Sequence, residues 1–188
     1  MTIDRVRPYS VAQANRQKDP PMDAAELRAL QAPLKQRYRD TPEAARVTAR
    51  AEATLDPAAV ACAIPAWQHT VVAGLHPATG GDGSQACSAD MLLEALVACA
   101  GVTLRAVSTA MGIPLRSGKV IAEGVWDARG TLGIDRAAPV GLTDITLRFE
   151  LDADADAAKL ARLIETTERY CVIYQTLRSP PHLSVAAA

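Results

Sequence analysis

Two cysteines have the residue types and neighbours from which redox chemistry is built. Cys99 stands in Met91-Leu-Leu-Glu-Ala-Leu-Val-Ala-Cys99-Ala-Gly-Val-Thr-Leu104, an Ala-rich apolar run. Cys171 stands in Glu168-Arg-Tyr-Cys171-Val-Ile-Tyr-Gln-Thr-Leu177, where an amphipathic stretch ends. A thiolate can attack an electrophilic oxygen to give a sulfenic acid, which a second thiol then converts to a disulfide. The plainer reading is structural, because free cysteine is among the most buried residue types. On a helix Cys99 shares its face with Leu92, Ala95, Leu96, Val102, Thr103 and Ala106, none of them charged. Such surroundings raise a thiol's pKa. Reactivity at Cys99 therefore requires donors or cations from another strand or another subunit. Cys171 falls in line with Leu160, Leu163, Ile164 and Thr167 if its helix continues. Each thiol taken alone reads as core.

Other candidate chemistry is weaker. Cys62 alternates with Val60 and Ile64 and reads as core. Cys87 precedes a helix start beside a Gly-rich loop, where exposure and the helix dipole favour thiolate. There is no Cys-x-x-Cys pair, and His69, His76 and His182 lack ligand spacing, so no metal site is expected. Gly80-Gly-Asp-Gly83 has no Gly-Lys-Ser/Thr sequel and is too short a signal for phosphate binding. No cofactor is expected.

The elements that must position these residues follow from periodicity. Residues 1–20 are polar and read as an arm, ended by Pro20-Pro21. Residues 23–38 read as a helix with Ala24, Leu27, Leu30 and Leu34 on one stripe, kinked or split at Pro33 and closed by Asp40-Thr-Pro42. A helix of this kind, unsupported by its own sequence, is expected to pack over a partner subunit or the mouth of the site. Residues 45–54 alternate Val47, Ala49, Ala51 and Ala53 with Arg46, Thr48, Arg50 and Glu52, the pattern of a half-buried strand. Asp56-Pro57 is a turn into a second strand at 60–64, and 70–75 is a third. A loop at 76–83 leads to Ser88, a plausible N-cap, with Asp90 in the first turn. The helix should run to Met111 and stop at Gly112. Being apolar nearly all round, it should be the buried central helix. Strands at 118–126 and 142–151, a helix from Ala157 and a closing strand at 183–185 complete an α+β order.

At 188 residues the chain is one domain, or one domain with an appended segment. The 49% of apolar residues suffice for a core, and the 4% of aromatics mean that Ala, Val, Leu and Ile must build it. A net charge of −1 gives no reason to expect nucleic acid or an anionic membrane as partner. The longest apolar run, 91–107, is interrupted by Glu94 and Arg105 and falls short of the ~18 residues of a membrane span. No apolar stretch of signal-peptide type opens the chain. A cytoplasmic location is expected, and there four cysteines argue against a structural disulfide framework.

Jointly, the Ala-Cys helix and the Glu-Arg-Tyr-Cys segment resemble the OsmC/Ohr family of thiol-dependent peroxidases. The resemblance covers about residues 45–188 and leaves 1–44 as an arm and amphipathic helix outside it. It implies an OsmC-like α+β fold, with two small antiparallel sheets around two central helices, in an intertwined homodimer. It implies that Cys99 attacks a hydroperoxide, that Cys171 resolves the product as a disulfide and that an external dithiol restores both. Three departures stand out. The Ohr branch has an arginine in its first hairpin turn, where this chain has Leu55-Asp56-Pro57. It has a glutamate ten residues before its first cysteine, where this chain has Ala89; Asp90 matches other members better. Many members have proline after the second cysteine, where this chain has Val172. Arg46 and Arg50 are the nearest substitutes for the missing charge, unless they only solvate a strand face. The competing expectation is a non-catalytic OsmC-fold protein whose cysteines pack and whose apolar cleft holds a small ligand.

Overall fold

The computed structural model describes residues 22–66 and 69–187. The expected arm at 1–20 lies outside them. Helix α1, Ala24–Asp40, begins in a capping box. Asp23 accepts from the amides of Ala25 (2.7 Å) and Glu26 (2.8 Å), and Glu26 accepts from the Asp23 amide. The helix is not split at Pro33. That proline leaves the Ala29 carbonyl without its amide, but Ala29 is exposed and water can take the place. None of the helix is buried: Leu30 is 60% and Leu34 47% exposed.

The expected strand at 45–54 does not form. A 3-10 turn, Pro42–Ala45, is followed by irregular, exposed chain, and pairing begins only with β1, Thr54–Leu55. The alternating face is mostly alanine, which gains little from burial, and among the described residues no strand pairs with it. β2 (Ala61–Ala66) and β3 (His69–Gly74) complete an antiparallel sheet in the order β1-β2-β3. Asp56 makes the first turn, its carboxylate accepting from the amides of Ala58 and Ala59. After β3 the chain loops out and returns, Ala86 bonding Val72 and Gly74 through the main chain. That return sets the start of the next helix against the sheet.

Helix α2, Ser88–Met111, is the central element. Its N-cap is Cys87 rather than Ser88, and no side chain caps it. Gly112, at φ 65°, ends it in the left-handed conformation that glycine adopts without steric cost. By length and composition α2 could cross a membrane, contrary to the expectation from its charges. In this fold it is instead the helix on which the other elements pack. Leu96, Ala100, Leu104 and Ser108 form a buried stripe at helical spacing. The rest is less covered than an all-apolar helix demands, with Val102 73% exposed.

β4 (Leu115–Val125) and β5 (Asp144–Ala153) form a second antiparallel sheet. In β5 Ile145, Leu147, Phe149, Leu151 and Ala153 face inward and the intervening residues outward, as the alternation requires. The core joins Leu104, Ile113 and Leu163 to Val120, Phe149 and Leu151 of this sheet. Helix α3, Ala157–Tyr170, is capped by Asp156, and helix α4, Val172–Arg178, follows after one non-helical residue, Cys171. The expected closing strand does not form: residues 183–185 are irregular, with Leu183 and Val185 almost wholly exposed. The architecture is the expected α+β arrangement of two small antiparallel sheets and helices.

Candidate active site

The site is assembled by α2 and by the break between α3 and α4. α3 presents Leu163 and Thr167 to the interior, and Cys171 follows at its C-cap, all three almost completely buried. The Thr167 hydroxyl donates to the Leu163 carbonyl within its own helix, so its burial leaves no polar atom unpaired. At Cys171 the backbone turns extended (φ −75°, ψ 109°), ending one helix and beginning the next. The effect is to bring the first amides of α4, and the Cys171 side chain, onto the Cys99 face of α2.

Cys99 is half-buried and reduced. Burial by itself would raise its pKa, but four donors outweigh that cost. They are, in order, the Ile173 amide, the Cys171 thiol, the Val172 amide and the Thr103 hydroxyl, and the net effect holds the Cys99 pKa below the ordinary thiol value. Cys171 is shifted the other way. Burial raises its pKa, and its hydrogen bond to Cys99 and the negative charge there raise it further, against amides of Tyr174 and Ile173. One sulfur is thus prepared to carry the charge and the adjacent one to keep its proton. The arrangement can deliver a thiolate to an electrophile with a second thiol already beside it.

The other expected site residues lie elsewhere. Arg50 is exposed in the irregular stretch before β1 and pairs with Glu52 at 2.7 Å. Arg46 is exposed in the same stretch. Asp90 is exposed in the first turn of α2. None of the three is among the groups that shift Cys99. Charge stabilisation comes instead from neutral donors, two of them main-chain amides that no residue-type pattern announces. Thr103 was legible: a hydroxyl four residues after a helical cysteine stands on the same face.

Cys62 and Cys87 are both half-buried and free. Two hollows lie on this part of the molecule. A cavity of about 1070 Å³ is walled by Leu92 and Leu96 of α2, Trp126, Leu147, Tyr174 and Leu177, with Cys87 at its rim. Leu96, which lines this cavity, lies one turn before Cys99 on the same face of α2. A smaller hollow, about 430 Å³, opens on Cys171 between Tyr170 and Gln175. Among the described residues no three His, Cys, Asp or Glu side chains gather closely enough to hold a metal.

With fold and site in view, the chain belongs to the OsmC-like protein family, whose model matches residues 81–186, from just before α2 through α4. Solved structures of this fold include an OsmC-like protein from Mycoplasma pneumoniae (18% identity, TM-score 0.60, covering 71% of this chain and 89% of that one). An OsmC-like protein of unknown function from Vibrio cholerae is 12% identical (TM-score 0.56, covering 70% and 94%). An organic hydroperoxide resistance protein from Elizabethkingia anophelis is 15% identical (TM-score 0.51, covering 72% and 92%). At these identities the likeness establishes the fold alone. Comparison with curated proteins gave no match.

Proposed function

We propose that this protein is a cysteine-based peroxidase that reduces hydroperoxides, organic ones among them, in defence against oxidative stress. The observation that carries this reading is the convergence of a second thiol and two main-chain amides on Cys99. Family membership supports it, as does the structural likeness to an organic hydroperoxide resistance protein. The Cys99 thiolate attacks the outer oxygen of ROOH. The O–O bond breaks, Cys99 becomes a sulfenic acid, and the departing alkoxide takes a proton to leave as ROH. The Cys171 sulfur then attacks the sulfenic sulfur, its proton leaves with the hydroxyl as water, and a Cys99–Cys171 disulfide forms. An external dithiol reduces that disulfide to two thiols and becomes a disulfide itself. Low thiol pKa raises the thiolate fraction at neutral pH, and four donors supply that without a cation.

A homodimer belongs to the same reading. Val102 on α2, Leu30 and Leu34 on α1 and Val72 on β3 are exposed apolar groups that a second copy of the chain would cover. Light scattering that finds only monomer at micromolar concentration removes this part. A cytoplasmic setting, where an external dithiol is regenerated, belongs to the same reading.

The decisive experiment is peroxide consumption with a dithiol reductant, wild type against Cys99→Ser. Loss of consumption in the variant is expected. Equal rates remove Cys99 as the nucleophile and leave the fold as a scaffold with packing cysteines.

A further inference from the structure

Two hydrogen bonds cross the break at Cys171 without belonging to either helix. Gln175 Nε2 donates to the main-chain carbonyl of Glu168 at 2.8 Å, seven residues back. The Tyr174 hydroxyl donates to Glu168 Oε2 at 3.3 Å. Both pairs are half-buried. Their meaning follows from the backbone count. In an unbroken helix the Glu168 carbonyl would accept from the Val172 amide, four residues on. Here the extended conformation of Cys171 takes that amide away, and it becomes one of the donors that hold the Cys99 pKa down. The carbonyl it abandons is one of the orphans that every helix C-terminus leaves, and leaving such a group half-buried and unpaired is costly. Gln175 fills the vacancy. Tyr174, next to it, holds the carboxylate end of the same glutamate.

We infer that Gln175 is a positioning residue of the thiol site: its side-chain amide occupies the Glu168 carbonyl in place of the Val172 N–H, and so keeps that N–H aimed at Cys99. Tyr174 assists by fixing Glu168. Without Gln175 the Glu168 carbonyl draws the Val172 amide back toward a continuous helix, and the sulfur loses a donor. Cys99 and Gln175 do not need to touch for this coupling, because the main chain between residues 168 and 175 transmits it. The inference rests on the reading of Cys99 as the reacting thiol, and its test does not use peroxide.

The test is the pH dependence of Cys99 alkylation by iodoacetamide in the full chain, with Cys62 and Cys87 changed to serine and Cys99 followed by peptide mass. Gln175→Met keeps the side-chain length and removes the donor. Loss of one donor to a sulfur anion should raise the midpoint by about half a pH unit to one unit, a rate about three- to tenfold lower near neutrality. Gln175→Glu, nearly isosteric and also unable to donate, should move it the same way, and Tyr174→Phe less. Thr176→Ala, on the same helix but bonded only to Val172 within it, should not move it. Unmoved midpoints in the Gln175 variants, with native circular dichroism, overturn the inference. Should those variants fail to fold, Tyr174→Phe decides it, and an unmoved midpoint there overturns it as well. If the midpoint moves while the wild-type chain consumes no peroxide, the positioning role stands and the peroxidase reading falls.

Discussion

The first forty described residues and the last forty are built on opposite terms. Helix α1 has an ideal cap, seventeen residues and not one buried side chain. Helix α3 is shorter, yet Leu163 and Thr167 are sealed, and Cys171 behind them is 1% exposed. Helix α1 lies against α2 with its side chains still largely open to solvent, whereas α3 is sealed against α2 and the core of the second sheet. Cys171 and its side of the candidate site fall in the second kind of region, where the side chains are sealed. The first kind leaves apolar groups uncovered and gains its place from whatever covers them.

The largest test of the contrast is chemical. Cys171→Ser should leave the first attack on peroxide intact, so one equivalent is consumed, while steady turnover falls by orders of magnitude. Stopped-flow consumption and mass measurement of Cys99 sulfenic or sulfinic acid check this. Stoichiometric oxidation of the wild type should yield a Cys99–Cys171 disulfide with Cys62 reduced. A dominant Cys87–Cys99 linkage would break the assignment.

The next test is energetic. Leu163→Ala should cost about 2–5 kcal/mol in urea unfolding, as deletion from a sealed core does. Leu30→Ala in α1 should stay within about 0.5 kcal/mol in the isolated chain, since the side chain is already exposed. A larger effect of Leu30→Ala that depends on protein concentration would show that a second copy covers this stripe. Deletion of residues 1–40 sharpens that point, and an unchanged dimer dissociation constant would place α1 on its own subunit.

The smallest test concerns one hydroxyl. Thr103→Val removes the weakest of the four donors to Cys99 and should raise the alkylation midpoint by a few tenths of a pH unit. The sign follows from charge, because the hydroxyl favours the thiolate and its loss favours the thiol. Cys99→Ala should act oppositely on Cys171, whose pKa should fall once the neighbouring sulfur charge is gone, burial remaining.

Much of the architecture could be read from periodicity and caps. The alternation of Leu147, Phe149 and Leu151, the span of α2 and the start of α3 all appear where the pattern puts them. The failures share a cause. Residues 45–54 and 183–185 show strand-like patterns, but a strand exists only when another pairs with it, and nothing local encodes the partner. Ser88 has the better capping side chain, yet the return of Ala86 to β3 sets the helix start one residue earlier, at Cys87. At the site, the pairing of Cys99 with Cys171 emerged only from family resemblance, since each thiol alone looks like core. Two of the donors that hold the Cys99 pKa down were invisible because they are peptide N–H groups, present at nearly every position and selected here only by a single bend in the chain.

That bend also makes the backbone a reporter of redox state. The N–H groups of Val172 and Ile173 are among the donors that hold the Cys99 pKa down, and a disulfide sulfur is a far poorer acceptor than a thiolate. A Cys99–Cys171 disulfide would hold the start of α4 to α2 by a covalent bond while removing the charge its first amides serve, so deuterium exchange at Val172 and Ile173 should rise on oxidation while the rest of α4 stays protected.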